Sequence, residues 1–328
     1  MPMLGVYQFF MKLFSSPDAT EEETRKEIKA NQNEERYNST DGSQESGKPE
    51  SVREKNTCLG EKVRSYMDSV IGLDPEKQDK AEAMKLVMEL EKYSTTFTLP
   101  SGEHIMIRPI LPVDKYAMRD LIEEGAVSQH SLSLRFNTCS TRVFDSVLDY
   151  FCNVNFDSHF AISVLLQEDG KWQGVASGRI IQDLNKPSEA EWAALVVDAK
   201  HGHKIGSCIL YYLSYMARSF GIERLMAVVH PNNYCVLYWM EKLGAFHLFK
   251  DECDFWSFKT PIYDEWIKDP DARALLQKAS SGQGSLPEEL RQVLLEHVYS
   301  LSTYSKPEAG KDCYLNSKRH LIEKTESN

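Results

Sequence analysis

The stretch VVDAKHGHKIGSCIL, residues 196–210, constrains the fold more than any other. An apolar run, AEWAALVVD over 190–198, ends in a basic loop with two glycines. Ile205, Ile209, Leu213, Met216 and Phe220 then fall on one stripe at helical spacing. A chain that changes from strand pattern to helix pattern across so short a loop builds a strand–loop–helix unit and reads as an α/β protein.

The pattern on either side agrees. Residues 104–110 (HIMIRPI) read as a strand, and 113–125 and 140–152 as helices. Residues 159–167 and 172–181 read as strands joined by the turn Glu168-Asp169-Gly170. After the central helix, 224–230 is a strand, 233–243 a helix stopped by Gly244, and AFHLFKD with DFWSFKT a closing hairpin. The expected architecture is a mixed central sheet of about seven strands flanked by helices, with helical extensions at both ends.

In the N-terminal extension, Val63, Tyr66, Met67, Val70 and Ile71 recur at helical spacing. Asp74-Pro75-Glu76 has the chemistry of a helix start, with a capping Asp and proline at the first position of a helix reaching Tyr93. In the C-terminal extension, Ser285 and Glu288 have capping-box spacing ahead of Leu290, Val293, Leu294, His297, Val298 and Leu301. Residues 17–57 are polar, so they are expected to be a disordered linker. The expected division is 1–57 apolar end and linker, 58–96 helical extension, 97–260 main domain, and 261–328 C-terminal extension with a polar tail.

Charge and cysteine usage exclude some functions. The net charge of −11 argues against nucleic acid as a partner, because phosphate backbones need a basic field. Seven scattered cysteines with no CxxC pair fit a reduced, cytoplasmic chain. No run of 18 apolar residues offers a membrane span. Residues 1–14, MPMLGVYQFFMKLF, are apolar without a preceding basic region, unlike a secretory leader. They either contact a partner or membrane surface or pack on their own domain.

Three readings of the loop stand side by side. It is a plain connector, a metal site or an anion site. His201-Gly202-His203 with Asp198 nearby could chelate, but no third ligand cluster lies at metal spacing, so no metal is expected. For an anion, the first turn of the helix leaves backbone N–H groups unpaired and its dipole points at the loop. Gly202 and Gly206 let the backbone approach closely, and His203 and Lys204 add charge.

Over 100–260 the order of elements and two motifs resemble the GNAT superfamily of acyl-CoA N-acyltransferases. The family signature is Gln or Arg, two residues, Gly, one residue, then Gly or Ala. It falls on His201-Gly202-His203-Lys204-Ile205-Gly206, preceded by ALVV at 194–197. HPNNYCVLYWMEKLGAF, 230–246, resembles the family's later helix, with Asn233 at its Asn position. IMIRPILPVDK (105–115), SLSLRF (131–136) and AEWAALVVD are similar to Pat-type protein lysine acetyltransferases. The chain departs from the family at His201, at Lys204 in the central Gly position, and at Met240, where many members carry a proton-donating Tyr; Tyr238 is two residues away.

The resemblance implies an N-acetyltransferase that uses acetyl-CoA as cosubstrate and an amine, a protein lysine or a small molecule, as acceptor. A degenerate domain that binds CoA for regulation is the alternative from another class. Lysine is protonated at neutral pH, and removing its proton costs about 4.6 kcal/mol at pH 7. A carboxylate must accept that proton, and the resemblance assigns the role to Glu191, with Glu189 as second choice. By the same resemblance the Val196 N–H donates to the oxyanion. Leu195, Val196 and Val197 pair with the pantetheine arm, while His201, Gly202, His203, Lys204, Ile205, Gly206 and Ser207 hold the pyrophosphate. Asn233 contacts the cofactor. Direct transfer in a ternary complex follows. Cys208 at the helix start has a nucleophile's position but reads as a core residue, since no His–Asp relay accompanies it.

Overall fold

The computed structural model describes residues 52–136, 145–250 and 253–305. Residues 1–14, and the part of the polar linker up to residue 51, lie outside the described residues, as does the C-terminal tail from 306. Helix α1 spans Val52–Val70, so the last residues of the segment expected to be linker are already helical. Asp74 does cap a turn next to Pro75, but the turn is a separate 3₁₀ piece, Pro75–Lys77. Helix α2 starts afresh at Lys80 and runs to Glu91, capped by Asp79, which accepts from Ala81 N at 2.8 Å. Two Asp residues five apart therefore divide what the pattern joined.

The strands are β1 (Thr95–Thr98), β2 (His104–Pro109), β3 (His159–Glu168), β4 (Lys171–Gln182), β5 (Glu189–Val196), β6 (Arg224–Val228), β7 (Phe246–Lys250) and β8 (Cys253–Lys259). They form one eight-stranded mixed sheet in the order β1-β2-β3-β4-β5-β6-β8-β7. The strand beyond the expected seven is β1; its four residues are too few to show a period. It pairs antiparallel with β2 across the expected boundary at 96/97. Between the strands lie α3 (Asp114–Glu123), α4 (Gln129–Phe136), α5 (Asp145–Cys152), α6 (Ile205–Ser219) and α7 (Tyr234–Lys242). α8 (Pro270–Ser280) and α9 (Glu288–Ser300) follow the sheet. The start of the helix expected over 140–152 falls outside the described residues before Asp145.

The capping box expected at Ser285 and Glu288 does not form. Pro287 occupies the cap of α9 without a side-chain bond. Glu91, at the end of α2, instead accepts from Leu286 N at 2.8 Å and Arg291 Nε at 2.8 Å, tying the two extensions together.

The sheet separates two helical layers. Helix α6 lies on one face so closely that a Cβ on Gly178 of β4 would stand 2.2 Å from Ile209 Cγ2. Helices α3, α4 and α5 cover the other face near β4 and β5. One continuous apolar core takes in Leu59 and Val63 of α1, the sheet, and Leu294 and Val298 of α9.

Candidate active site

The only parallel pairing among the described residues is also the shortest seam of the sheet. Strand β5 meets β6 at Glu189, Ala190 and Glu191, opposite Arg224, Leu225 and Met226. Beyond Glu191 the two strands no longer pair with each other, so the sheet splits between Trp192–Val196 and the end of β6. Along β5, backbone groups of successive residues point to alternate neighbours. Val197 N–H donates to Val175 C=O at 2.9 Å, which turns Val197 and, by the same alternation, Leu195 toward β4. The backbone groups of Leu195 and Val197, expected to meet the pantetheine arm, thus point to β4 and not to the split. Trp192, Ala194 and Val196 are the residues whose backbone groups face the split. The Val196 carbonyl there accepts from His201 Nε2 at 3.0 Å, which leaves its N–H toward the opening.

The loop after β5 is shaped for an anion. A 3₁₀ turn, Asp198–Lys200, leads into His201, and Gly202 has φ +85°. Lys204 is left-handed too, with φ +72° and ψ +3°. A backbone conformation that favours glycine is thus adopted by lysine. The first backbone bond of α6 is Cys208 N–H to Lys204 C=O, 3.0 Å. The N–H groups of Ile205, Gly206 and Ser207 have no acceptor among the described residues and point to the helix N-terminus. Gly206 packs against Trp239 of α7; a Cβ there would stand 2.8 Å from that ring. Lys204 is exposed, with no ion pair among the described residues. His203 faces away, its Nδ1 2.6 Å from Glu103 Oε2. Lys200 Nζ reaches Glu103 Oε1 at 2.9 Å and Glu168 Oε1 at 2.6 Å. Glu103 was invisible in the sequence because it lies 100 residues from the loop.

Glu191, Ala193 and Leu195 share the face of the sheet opposite α6, beside Ile181, Arg179 and Ser177 of β4. On that face a small, open recess is lined by Met118, Ile122, Phe136 and Phe151 with Arg135 and Arg179. Glu191 lies next along β5. It is buried, its Oε2 has no hydrogen-bond partner among the described residues, and burial raises its carboxyl to about 7 against the pull of Arg135 and Arg179. Arg179 is itself buried, donates to Phe151 C=O at 3.0 Å and lies over the Phe151 ring. Glu189 is half-buried, with Lys186 Nζ 3.6 Å away.

Asn233 caps α7, its Oδ1 accepting from Val236 N at 3.3 Å. Met240 is fully buried and Tyr238 is more than half exposed, so no tyrosine hydroxyl occupies the Met240 position. Burial pushes the Cys208 thiol up to about 12. Among the described residues no cluster of three or more His, Cys, Asp or Glu could hold a metal ion. No described helix is long and apolar enough to cross a membrane.

Split sheet, anion loop and buried carboxylate occur within the segment that matches a family model described as acetyltransferase (GNAT) family, residues 128–245. Over residues 128–245 the chain is thus similar to the GNAT family. The chain is also similar to Acetyltransferase Pat of Mycolicibacterium smegmatis, 28% identical over 145 residues, 44% of this chain and 42% of the relative. The chain thus matches about two fifths of that relative's length. Among solved structures, the GNAT domain of S. lividans PAT is 24% identical with a TM-score of 0.45, covering 51% of this chain and 97% of that one. A cAMP-binding acyltransferase from Mycobacterium smegmatis is 19% identical with a TM-score of 0.38, covering 71% and 64%. The fold follows from the family model together with the sheet order of this chain.

Proposed function

We propose that the protein is an N-acetyltransferase that moves the acetyl group of acetyl-CoA to the side-chain amine of a protein lysine, by direct transfer with both substrates bound. The observation that carries this reading is Glu191, a buried carboxyl with a free oxygen whose ionisation falls near neutral pH, beside the split in the sheet. A base works best when its pKa lies near the working pH. A lysine entering over Met118, Ile122, Phe136 and Phe151 packs its methylene stem on apolar surface and brings its amine toward the sheet. Glu191 then accepts the ammonium proton.

Acetyl-CoA supplies the activated acyl group. The donors present fit it: the β5 edge at Trp192, Ala194 and Val196 suits an extended amide-bearing arm, and the N–H groups at 205–207 with Lys204 suit a pyrophosphate. The Val196 N–H is placed to stabilise developing oxyanion charge. Direct transfer is favoured over an acyl-thiol on Cys208, because a buried thiol raised to about 12 is almost wholly protonated at pH 7. Acetyl-CoA chemistry and scattered reduced cysteines suit a cytoplasmic setting.

The test is to incubate the full chain with acetyl-CoA and a protein extract, following CoA release and acetylated lysines by mass spectrometry. Glu191→Gln is expected to lower kcat by about 10²–10⁴ with CoA affinity unchanged. In the wild type, kcat should fall as pH drops through about 7, where Glu191 protonates. CoA binding without turnover would favour the regulatory reading, acetylation of small amines alone the small-molecule one. No CoA binding at all sinks the assignment.

A further inference from the structure

The same end of the sheet carries a charge cluster that the proposed chemistry does not use. Glu103 sits in the turn between β1 and β2 and accepts from three groups. Lys200 Nζ lies 2.9 Å from its Oε1, and His203 Nδ1 and Ser101 Oγ lie 2.6 and 2.7 Å from its Oε2. Lys200 also reaches Glu168 Oε1, at the end of β3, at 2.6 Å. The two carboxylates are neighbours because β2 and β3 pair antiparallel, with Ile105 opposite Leu166. Two hairpin ends of the rigid sheet therefore hold the loop that follows β5.

We infer that Glu103 is a positioning residue for the loop at 201–207, fixing its backbone for the phosphates of the cosubstrate. The inference rests on the acetyl-CoA reading above. The spacing supports it. Lys200 closes the 3₁₀ turn before Gly202, and His203 immediately precedes Lys204. The clamp thus grips the chain on both sides of Gly202, at φ +85°, and immediately before Lys204, at φ +72°. A lysine does not favour that conformation by itself, so something outside the loop must impose it. The clamped side chains are largely withdrawn from solvent: Lys200 is 16%, Glu103 20% and His203 35% exposed. Such bonds are stronger than surface ion pairs. The hydrogen bonds from His203, Lys200 and Ser101 also hold the Glu103 carboxyl down at about 2, so it stays charged throughout the working pH range.

The clamp also sorts the loop's polar side chains. Lys200 and His203 are drawn toward the carboxylates, and Lys204 is left exposed at the helix N-terminus. Charge for the phosphates then comes from one lysine and the oriented N–H groups rather than from a mobile basic patch.

The experiment compares CoA binding by calorimetry and acetyl-transfer kinetics for wild type, Glu103→Gln and Glu103→Asp, all as the full chain and with melting curves recorded. Glu103→Gln should raise the CoA Kd and the KM for acetyl-CoA about tenfold. Its kcat at saturating acetyl-CoA and the fall of kcat near pH 7 should stay as in wild type, because Glu191 is untouched. Glu103→Asp should recover part of the affinity. A folded Glu103→Gln protein that binds CoA as tightly as wild type, or more tightly, overturns the inference. So does a loss confined to kcat. If Glu103→Gln does not fold, Lys200→Gln removes one arm of the clamp and is read by the same criteria. Wild type that fails to bind CoA overturns the acetyl-CoA reading and this inference together, whereas wild type that binds while the variants match it overturns this inference alone.

Discussion

Lys204 holds a backbone angle that costs a residue with a Cβ about 1–2 kcal/mol. Its neighbours Lys200 and His203, tied to Glu103, hold the loop in that shape. Glu191 presents the opposite case, a residue whose conformation is ordinary and whose ionisation is not. Burial raises its carboxyl from the usual value near 4.5 to about 7. The folded protein therefore binds a proton there more tightly than the unfolded chain does. The stability this confers is complete below about pH 4.5 and is lost as pH rises through about 7. The shift corresponds to about 3 kcal/mol. Glu191→Gln removes the penalty of ionising a buried acid. Chemical denaturation of both proteins should therefore show the variant gaining on wild type between pH 5 and pH 8.5, by up to about 3 kcal/mol. A stability difference that does not change with pH would mean the carboxyl titrates at its ordinary value.

Among elements, the pair that most shapes the site is β4 with α6. Gly178 lets the helix sit directly on the strand, where Ile209 and Leu213 fill the space a side chain would take. That contact sets how α6, and with it the loop at its N-terminus, is carried relative to β5. Gly178→Ala would place a Cβ 2.2 Å from Ile209 Cγ2 and 3.0 Å from Leu213 Cδ1. Overpacking of this kind costs about 1–3 kcal/mol, read as a lowered denaturant midpoint with unchanged m-value. A midpoint equal to that of wild type would show that the helix shifts freely on the sheet. The β5–β6 seam illustrates a second element-scale effect. Three paired residues fix the strands, and release beyond Glu191 opens the edge that faces the loop.

For the whole molecule, the helical extensions are parts of one core. Leu290, Leu294, Val298 and Leu301 are buried with Leu86, Val87 and Leu90 of α2 in the same cluster as the sheet. Lys115 of α3 is buried, with its ammonium 2.9 Å from Asp149 and 2.5 Å from the Ser305 carbonyl, so the end of the described chain is pinned to the helical layer that lines the recess beside Arg179. Each large apolar side chain buried contributes about 1.5–3 kcal/mol, and a protein's net stability is only about 5–15 kcal/mol. A chain ending at Gly284 is therefore expected to lose its cooperative melting transition. A sharp transition near the wild-type midpoint would instead make the C-terminal helices an independent addition.

Much of this was legible before any coordinates. Periodicity and turn chemistry are local, and they located β2 to β8, α3, α6, α7 and α9 to within a few residues, as well as the Gly202–Gly206 loop; they did not foresee α8, and Glu191 as candidate base came from the resemblance. They missed β1, whose four residues are too short for a period, and α4, whose SLSLRF stretch has no clear apolar stripe. They also misplaced two caps, because Asp74, Asp79 and Ser285 differ in geometry and not in chemistry. Only the tertiary structure decided which backbone groups of β5 face the split, since that depends on the register with β4: Val196 faces the opening, and Leu195 and Val197 do not. It also decided that Glu191 is buried, that Lys204 is left-handed, and that Glu103 meets Lys200 and His203 across nearly 100 residues of chain. Residue type and order determine what chemistry is available along a chain; register, burial and long-range pairing arise when distant segments share one sheet, and these set the protonation and direction of each group.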